Sequence, residues 1–460
     1  MTPSFSICRI KRSGRKERVA SAPPALDTAP GTSANVVVVK LLIIGSGGRE
    51  HTLAWKLKQS SGVDRIFCAP GNAGTEEIGE NIAIPANDLT ALARFAKDNR
   101  IGLTVVGPDD PLAAGIVDVF DAEGLRIFGP TKSAARLESS KIFAKELMRQ
   151  KRIPTARAAI FDKEEAAAAF LKESRFPIVI KADGLALGKG VIVAKDVEEG
   201  RATIEAMMKE RRFGEAGTRL LIEECLTGSE CSLHALVDGG SYRMLATARD
   251  HKRAFDGDTG PNTGGMGAFS PADNFSAELQ AQFDREVMQP LLEGLSESGV
   301  TFRGLLFPGL MMTADGPRVL EFNCRFGDPE TQAILPRLKS DLLPLLEATI
   351  EGKLEGMTID WDERAAVTVV LASGGYPGKH DVGKPISGLE TAWPQTVHVF
   401  HAGTRRENGS IVTAGGRVLA VTALGETVAA ARDRAYEAVS QIHFDGCHYR
   451  RDIALSALAR

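Results

Sequence analysis

The chain has 460 residues, which is too long for one hydrophobic core and predicts two to four domains. Its net charge of −3 argues against general binding to nucleic acid or to a membrane surface, and no apolar run approaches the roughly 20 residues of a membrane span. The six cysteines are scattered and form no C-x-x-C pair, a pattern typical of free thiols in a reducing cytoplasm.

Residues 1–35 differ in composition from the rest of the chain. Basic residues crowd between positions 9 and 18, and prolines follow among small residues. No apolar stretch is long enough for a secretory signal, so the composition predicts a disordered tail. An organellar transit peptide is the minor alternative for the same basic, acid-poor segment. The expected location is therefore the cytoplasm.

The next segment, 36–138, alternates apolar runs with helical patterns. Strands are predicted at 36–44, 66–69, 82–84, 103–106 and 126–128, with helices between them. This alternation predicts a parallel sheet wound with helices. Loops rich in Gly and Pro fall at the carboxyl ends of the strands, which is the edge where such sheets bind ligands.

The segment 45–51, GSGGREH, follows the first strand and opens a helix. It departs from the dinucleotide fingerprint because Glu50 replaces the third Gly. The second strand also lacks the terminal acid that would hold an adenosine ribose, so a nicotinamide oxidoreductase is disfavoured. Backbone N–H groups at a Gly-rich helix start favour a phosphate, and Arg49 adds positive charge. A sugar phosphate fits this loop better than a dinucleotide.

A Gly-rich hairpin is predicted from a strand at 176–181, the loop ADGLALGKG at 182–190 and a returning strand at 191–193. Lys181 at its base and Lys189 near its tip suit a loop that folds over a polyphosphate. The loop is not a Walker A motif, because no Ser or Thr follows the Lys and the segment continues into a strand. A mobile structural turn would have the same composition.

Two acidic strands follow. The strand at 220–226 carries Glu223 and Glu224, and would offer backbone groups to an adenine edge and an acid to a ribose. The next strand begins near Glu230. Neither strand identifies a site by itself.

A second hairpin combines an apolar strand at 305–312 with a returning strand at 318–322. Because strand side chains alternate between faces, Glu321, Asn323 and Arg325 are predicted to share one face. The opposite, core face would carry Leu320, Phe322 and Cys324. Mg²⁺ takes one or two carboxylates plus substrate phosphates, and an Arg can bind phosphate or carboxylate through two hydrogen bonds. For this motif alone, a surface ion pair on an edge strand is the better interpretation. The Gly-rich hairpin at 176–193 makes a metal and phosphate site the favoured interpretation instead.

From about residue 40 to the C-terminus, the motifs together resemble the ATP-grasp ligases and, among these, the phosphoribosylamine–glycine ligase family. The segments that carry the resemblance are 45–51, 70–74 (PGNAG), 181–190, 250–253 (DHKR), 258–267 (DTGPNTGGMG), 321–331 (EFNCRFGDPET) and 374–378 (GGYPG).

The resemblance implies an α/β fold with three domains after the tail. These are an N-terminal parallel βα domain that binds substrate (36–138), an ATP-grasp domain (139–345) with a flap subdomain at about 153–226, and a small mixed α/β C-terminal cap domain (346–460). In the cap, strands are predicted at 365–371, 397–401, 411–412 and 417–422, with a helix at 427–442.

The implied reaction is ATP-dependent ligation of glycine to 5-phospho-β-D-ribosylamine through glycyl phosphate. Its products are glycinamide ribonucleotide, ADP and phosphate, in de novo purine biosynthesis. The implied partners are these small molecules alone, without nucleic acid or membrane, and the protein is expected to be a monomer.

By the same resemblance, Lys141 and Lys181 would contact the ATP phosphates. The other implied ATP-binding residues are Gly184, Gly188, Lys189, Gly190, Glu223, Glu224, Leu226 and Glu230. Mg²⁺ or Mn²⁺ would be held by Glu321 and Asn323.

The implied catalytic residues are Arg325, Lys181 and Asp250. Those that would contact glycine or the acyl phosphate are Asp250, Gly264, Gly265 and Arg325, and the resemblance leaves open whether Arg325 contacts phosphoryl or carboxylate. Those that would bind phosphoribosylamine are Gly47, Gly48, Arg49, Glu50 and Asn72.

Two alternatives remain open. Another ATP-grasp enzyme, such as a biotin-dependent carboxylase subunit, would share the flap and the metal strand but would use bicarbonate in place of glycine. A non-catalytic ATP-binding sensor is the second alternative. Retention of both metal ligands and of Arg325 argues against the sensor.

Overall fold

The computed structural model of the protein describes residues 38–185 and 190–458. The predicted tail at 1–35 and, within the Gly-rich loop, Gly188 and Lys189 lie outside the described residues. Among the described residues, no helix is long and apolar enough to cross a lipid bilayer.

The N-terminal region is a parallel sheet of the order β3-β2-β1-β4-β5. Its strands are β1 (Val39–Gly45), β2 (Val63–Pro70), β3 (Glu80–Asn81), β4 (Leu103–Val106) and β5 (Ile127–Phe128). Its helices are α1 (Gly48–Leu57), α2 (Thr75–Ile78), α3 (Leu89–Asp98), α4 (Asp109–Ala114), α5 (Ile116–Ala122), α6 (Lys132–Ser139) and α7 (Lys141–Gln150). Residues 41–44 of β1 are fully buried, as expected for a strand covered on both faces.

The predicted strand at 82–84 is wrong. The edge strand is β3, two residues earlier, and it pairs only with Phe67 and Cys68 of β2. β2 ends at Pro70, which has no N–H to extend the ladder. Pairing therefore stops before the apolar residues Ile82 and Ile84, which pack against the core from an irregular segment.

The second region is an antiparallel sheet of the order β6-β9-β7-β8. Its strands are β6 (Ala158–Phe161), β7 (Ile178–Ala182), β8 (Val191–Ala194) and β9 (Leu220–Glu224), and its helices are α8 (Glu164–Leu171) and α9 (Val197–Ile204). The predicted Gly-rich hairpin is confirmed, because β7 and β8 pair antiparallel from Ile178 with Ala194 to Lys181 with Val191.

The third region builds a sheet of the order β10-β17-β11-β12, with β18 paired to β17. The strands of residues 229–323 are β10 (Ser229–Ser232), β11 (Ala235–Asp238), β12 (Tyr242–Met244), β13 (Arg249–Asp250), β14 (Arg253–Phe255), β15 (Thr259–Asn262), β16 (Gly267–Ser270), β17 (Arg303–Thr313) and β18 (Gly316–Asn323). The helices are α10 (Ala277–Phe283), α11 (Gln289–Glu297), α12 (Glu330–Ile334) and α13 (Leu342–Glu351).

A bulge in the β17–β18 hairpin changes the predicted faces of β18. Glu321 pairs with Gly309 and Val319 with Leu310, so that Leu320 is the extra residue. Leu320 consequently lines a cleft beside Glu321, whereas it was expected in the core. Val319, Phe322 and Cys324 are the residues that are buried in the core.

The C-terminal region completes an antiparallel sheet of the order β13-β16-β19-β23-β20. Its elements are β19 (Ala365–Ala372), β20 (Val397–His401), β21 (Thr404–Glu407), β22 (Ser410–Thr413), β23 (Arg417–Gly425) and α14 (Val428–Val439). Because β13 and β16 come from the 249–270 segment, this sheet draws the loop between them against the C-terminal region.

Candidate active site

A cleft of about 540 Å³ lies between the β6–β9 sheet and the β17–β18 hairpin. The two sheets contribute charged side chains from opposite walls. Most of the predicted nucleotide, metal and acyl residues line it: Lys141, Lys181, Gly190, Glu223, Glu224, Leu226, Glu230, Asp250, Gly264, Glu321, Asn323 and Arg325. The tertiary structure therefore brings together motifs that are up to 180 residues apart.

Glu223 bridges two buried lysines on the wall formed by β7 and β9. Its Oε2 lies 2.8 Å from Nζ of Lys181, and its Oε1 lies 2.7 Å from Nζ of Lys145. Burial lowers the pKa of Lys145, and the Glu223 charge opposes this shift. One of the two acids predicted for the adenine and ribose edge is thus engaged with lysines. Lys145 was not predicted, although its position four residues after Lys141 on one helix face is a usable signal.

Lys141 lies at the base of the Gly-rich hairpin. Its Nζ donates a 2.8 Å hydrogen bond to the carbonyl oxygen of Gly184, which joins α7 to the loop. Burial lowers the pKa of Lys141, and the charge of Glu321 is the largest effect that opposes this shift. Lys181 also donates to the carbonyl oxygen of Leu320 at 2.9 Å. Lys141 thus joins α7 to the hairpin, and Lys181 joins the hairpin to the opposite wall of the cleft.

The remaining predicted nucleotide acids are paired with basic residues. Glu224 pairs with Arg157 at 2.8 Å, and Glu230 pairs with Lys252 at 2.8 Å. Leu226 lines the cleft just beyond the end of β9. The backbone after Glu224 is therefore open to the cleft while the Glu224 side chain is held at its edge.

Glu321 and Asn323 form the candidate metal pair at the end of β18. Burial disfavours the Glu321 carboxylate, yet Lys252, Lys181 and Lys141 together hold its pKa below the ordinary value. Asn323 Oδ1 accepts a 3.2 Å hydrogen bond from Arg325, and its Nδ2 donates to the Phe307 carbonyl. A hard divalent cation suits this oxygen pair.

The donor set also fits a metal that is shared with a ligand. Among the described residues, no group of three or more His, Cys, Asp or Glu side chains is arranged to hold a metal ion. Mg²⁺ usually keeps one or two protein carboxylates and completes its shell with waters and substrate phosphates. Glu321 and Asn323 match that kind of site.

Arg325 is buried beside the metal pair and is held by a carboxylate that was not predicted. Its Nη2 lies 3.1 Å from Oε1 of Glu138, whose Oε2 accepts the backbone N–H of Cys324 at 2.7 Å. Burial opposes the charge of Arg325, but Glu138 and neighbouring carboxylates raise its pKa. Its Nε is buried without a hydrogen-bond partner among the described residues. Arg325 is therefore a fixed cation with one donor to spare.

Asp250 lies where β13 meets the cleft, close to the Gly264–Gly265 turn. Its Oδ1 is buried without a hydrogen-bond partner among the described residues. Burial and then the Glu330 carboxylate raise its pKa well above the ordinary value. A Cβ on Gly265 would lie 2.7 Å from this oxygen, so the turn packs directly on it. Glu330 also lines the cleft and was not predicted.

The predicted phosphoribosylamine residues stand behind the cleft and do not line it. Arg49 is buried, pairs with Glu50 at 2.5 Å and donates to the Phe326 carbonyl at 3.1 Å. Glu50 Oε2 accepts the Gly47 N–H at 2.6 Å, where a bound anion was expected. The Asn72 amide donates to Ser46 and His401 carbonyls. In this arrangement the side chains of Arg49, Glu50 and Asn72 hold the loops together.

The N-terminal loop at 45–51 nevertheless contacts the cleft wall. Asp328 lines the cleft, and its Oδ2 lies 3.3 Å from the position of a Cβ on Gly47. A Cβ on Gly48 would lie 2.6 Å from the Gln332 amide. Both glycines therefore pack closely against the segment that follows β18.

Three family models match the chain in order. The Phosphoribosylglycinamide synthetase N domain matches residues 39–138, the ATP-grasp (A) domain matches 139–331 and the C domain matches 366–456.

Curated relatives match at high identity. A phosphoribosylamine–glycine ligase of Vibrio cholerae is 51% identical over 425 residues, covering 92% of this chain and 99% of the relative. The enzyme of that name from Escherichia coli is 51% identical over 426 residues, with the same coverage.

Solved structures give the same result. A phosphoribosylamine–glycine ligase of Thermotoga maritima aligns with a TM-score of 0.78 at 35% identity, covering 90% of this chain and all of that one. The biotin carboxylase domain of a 2-oxoglutarate carboxylase from Hydrogenobacter thermophilus aligns with a TM-score of 0.70 at 15% identity over 90% and 92% of the two chains. At that identity the second likeness concerns the fold alone.

Proposed function

The chain belongs to the phosphoribosylglycinamide synthetase family and is an ATP-dependent ligase of purine biosynthesis, and we propose that the cleft described above joins glycine to 5-phospho-β-D-ribosylamine. The observation that carries this assignment is the convergence of Glu321, Asn323 and Arg325 with Lys141 and Lys181 in one cleft. It combines a metal pair with cations that suit a transferring phosphoryl group.

The ATP half of the site is formed by the two facing sheets. Lys141 and Lys181 neutralise phosphate charge, with Gly190 lining the cleft and Gly184 bonded to Lys141 through its carbonyl oxygen. The backbone at 224–226 receives the adenine edge. Glu223 acts indirectly, since its carboxylate pairs with both Lys145 and Lys181 and holds them in position.

Glu321 and Asn323 would hold the divalent cation, Mg²⁺ or Mn²⁺, that ATP-grasp enzymes use. Bound there, the cation would neutralise charge on the phosphates and fix their orientation. Arg325 keeps Asn323 Oδ1 aimed at the cleft through its 3.2 Å hydrogen bond.

The chemistry proceeds in two displacements. A glycine carboxylate oxygen attacks the γ-phosphorus of ATP, the bond to the β-phosphate oxygen breaks and ADP leaves. The amine of phosphoribosylamine then attacks the acyl carbon of glycyl phosphate, loses a proton and releases phosphate. Both steps depend on alignment and on charge stabilisation more than on a protein nucleophile.

Arg325 and Asp250 serve the acyl half. The free Nε donor of Arg325 suits either the transferring phosphoryl or the glycine carboxylate. The unpartnered Oδ1 of Asp250 suits the glycine ammonium, beside Gly264 and Gly265. The N-terminal loops, which meet the cleft at Asp328, would bind the ribosylamine and its phosphate. The residues concerned are Gly47, Gly48, Arg49, Glu50 and Asn72.

The proposed organisation keeps the predicted boundaries, with a substrate domain at 36–138, an ATP-grasp domain at 139–345 that includes a flap at 153–226, and a cap at 346–460. We propose a monomer in the cytoplasm, where ATP is available, acting on small molecules only. Light scattering of the purified chain tests the monomer.

The decisive assay measures ADP release with Mg²⁺ present. We expect release only when ATP, glycine and freshly generated phosphoribosylamine are all supplied, with glycinamide ribonucleotide formed in equal amount. Release supported by bicarbonate, or independent of glycine, would contradict the assignment and favour a carboxylase-like ATP-grasp reaction.

A further inference from the structure

Arg417 connects the C-terminal region to the acyl side of the cleft. It is the first residue of β23, and its Nη1 donates to the carbonyl oxygens of Gly264, Gly265 and Asp328. Its Nη2 pairs with the Asp328 carboxylate at 3.0 Å. One guanidinium thus holds two cleft segments that are more than 60 residues apart in the sequence.

Arg417 and Tyr376 are the contacts that the C-terminal region makes to the Gly264–Gly265 turn, which is otherwise held locally by the Gly265 N–H bond to Thr263 Oγ1. Gly264 packs against the guanidinium, since a Cβ there would lie 3.1 Å from Cζ of Arg417. Its N–H donates to the Tyr376 hydroxyl at 3.0 Å, which is a second contact from the C-terminal region. Gly265 has a φ of +107°, and a Cβ on it would meet Pro329 at 2.3 Å and Asp250 at 2.7 Å. The turn is therefore confined between Arg417 on one side and Asp250 with Pro329 on the other.

Asp328 extends this connection toward the N-terminal loop. Burial disfavours its charge, but Arg417 and then Arg49 hold its pKa below the ordinary value. Gln332 donates a 2.7 Å hydrogen bond to its other carboxylate oxygen. The Asp328 carboxylate also faces Gly47. Its position therefore sets the distance between the Gly264–Gly265 turn and the N-terminal loop at 45–51.

We propose that Arg417 is a positioning residue that holds the Gly264–Gly265 turn and Asp328 in register for acyl transfer. This inference rests on the proposed function of the cleft. The role is indirect, because the guanidinium is taken up by backbone carbonyls and Asp328 and does not line the cleft. The contacts use two nitrogens at once, Nη1 for the backbone carbonyls and Nη2 for the Asp328 carboxylate, and a lysine with its single nitrogen does not reproduce both.

Arg417 is expected to affect the three substrates to different degrees. The part of the cleft proposed to bind ATP is formed by α7, β7, β9 and β18. The Arg417 side chain contacts none of these elements. Loss of the fork should therefore impair glycine and phosphoribosylamine while sparing ATP. A general loss of folding would affect all three substrates.

The test compares wild type, Arg417→Lys and Arg417→Gln in the full chain, with Arg434→Lys as the matched control. Arg434 is also in the C-terminal region and donates to the Leu424 carbonyl, away from the cleft. We expect both Arg417 variants to raise the KM for glycine about tenfold or more, because small misplacements of reacting groups are costly. The KM for ATP should change less than twofold, and Arg434→Lys should behave as wild type.

The outcomes separate the two proposals. If wild type shows no glycine-dependent ADP release, the proposed function and this inference both fail. If wild type is active and Arg417→Lys keeps the wild-type KM for glycine, or raises the KM for ATP equally, Arg417 has no specific positioning role. Where Arg417→Gln folds poorly, as measured by its melting temperature, Tyr376→Phe provides the second variant. It removes the other C-terminal contact to the turn and should raise the KM for glycine alone.

Discussion

Arg49 donates a 3.1 Å hydrogen bond to the carbonyl oxygen of Phe326, across a separation of 277 residues. The bond joins the loop at 45–51, which follows β1, to the segment that follows β18. Both groups are buried, so water does not compete for the donor. The arrangement explains why residues predicted to bind a sugar phosphate are found joining loops at the edge of the cleft.

Replacing Glu321 with Gln tests the metal pair. The amide keeps the size of the side chain but removes the charge that balances Lys141, Lys181 and Lys252. We expect turnover to fall about 100-fold, since charge neutralisation dominates phosphoryl transfer. Circular dichroism and the melting temperature should remain near those of wild type. Full activity in a folded Glu321→Gln variant would remove this residue from the metal site.

Replacing Glu223 with Gln should destabilise the protein. The change leaves Lys145 and Lys181 buried without their shared counter-ion, and breaking a buried ion pair costs about 3–5 kcal/mol. Urea unfolding measures the loss. Glu224→Gln is the stability control, because its partner Arg157 is exposed and such pairs contribute about 1 kcal/mol or less. Equal stability of the two variants would show that Glu223 does not hold the lysines.

Gly265 lies in the turn after β15, and Gly257, in the turn after β14, serves as its comparison. Both have positive φ, +107° and +68°, so alanine is strained at either position, by about 1–2 kcal/mol in the left-handed region where Gly257 lies. Only at Gly265 would the new Cβ meet Pro329 and Asp250, whereas nothing lies within 4 Å at Gly257. We expect Gly265→Ala to lower kcat/KM for glycine at least tenfold. An equal loss in Gly257→Ala would assign the effect to backbone strain.

His51 predicts a pH dependence of stability. Burial, and next the nearby His401, lower its pKa from 6.5 to about 3, while its Nδ1 accepts the backbone N–H of His401. Because the folded pKa is the lower one, its contribution is complete above pH 6.5 and is lost as the pH falls toward 3. The slope from this one residue is about 1.4 kcal/mol per pH unit.

Urea unfolding between pH 7 and 4.5 tests this dependence. His51→Asn keeps an acceptor for the His401 N–H but does not titrate, so the stability of the variant should fall less steeply with pH. An unchanged slope in His51→Asn would show that this histidine is protonated in the folded protein.

The local patterns determined most elements. The apolar run of β1, the Gly-rich hairpin of β7 and β8 and the strand at 397–401 follow from short-range periodicity and turn residues. The predicted strand at 82–84 failed because pairing at a sheet edge depends on where the neighbouring strand ends. The face of Leu320 failed because the bulge is a property of two paired strands.

The sequence by itself determined the family, the reaction and the residues that could hold phosphate, metal and glycine, because these are carried by motifs of a few consecutive positions. Only the tertiary structure decided which protein groups each of those side chains contacts. It directs Glu223 to two lysines, Arg49 to a carbonyl and Glu50 to a helix start. It also brings Glu138, Lys145 and Arg417 to the site from outside the recognised motifs. The physical reason is that a buried charge must find a partner, and the partner is chosen by proximity in space.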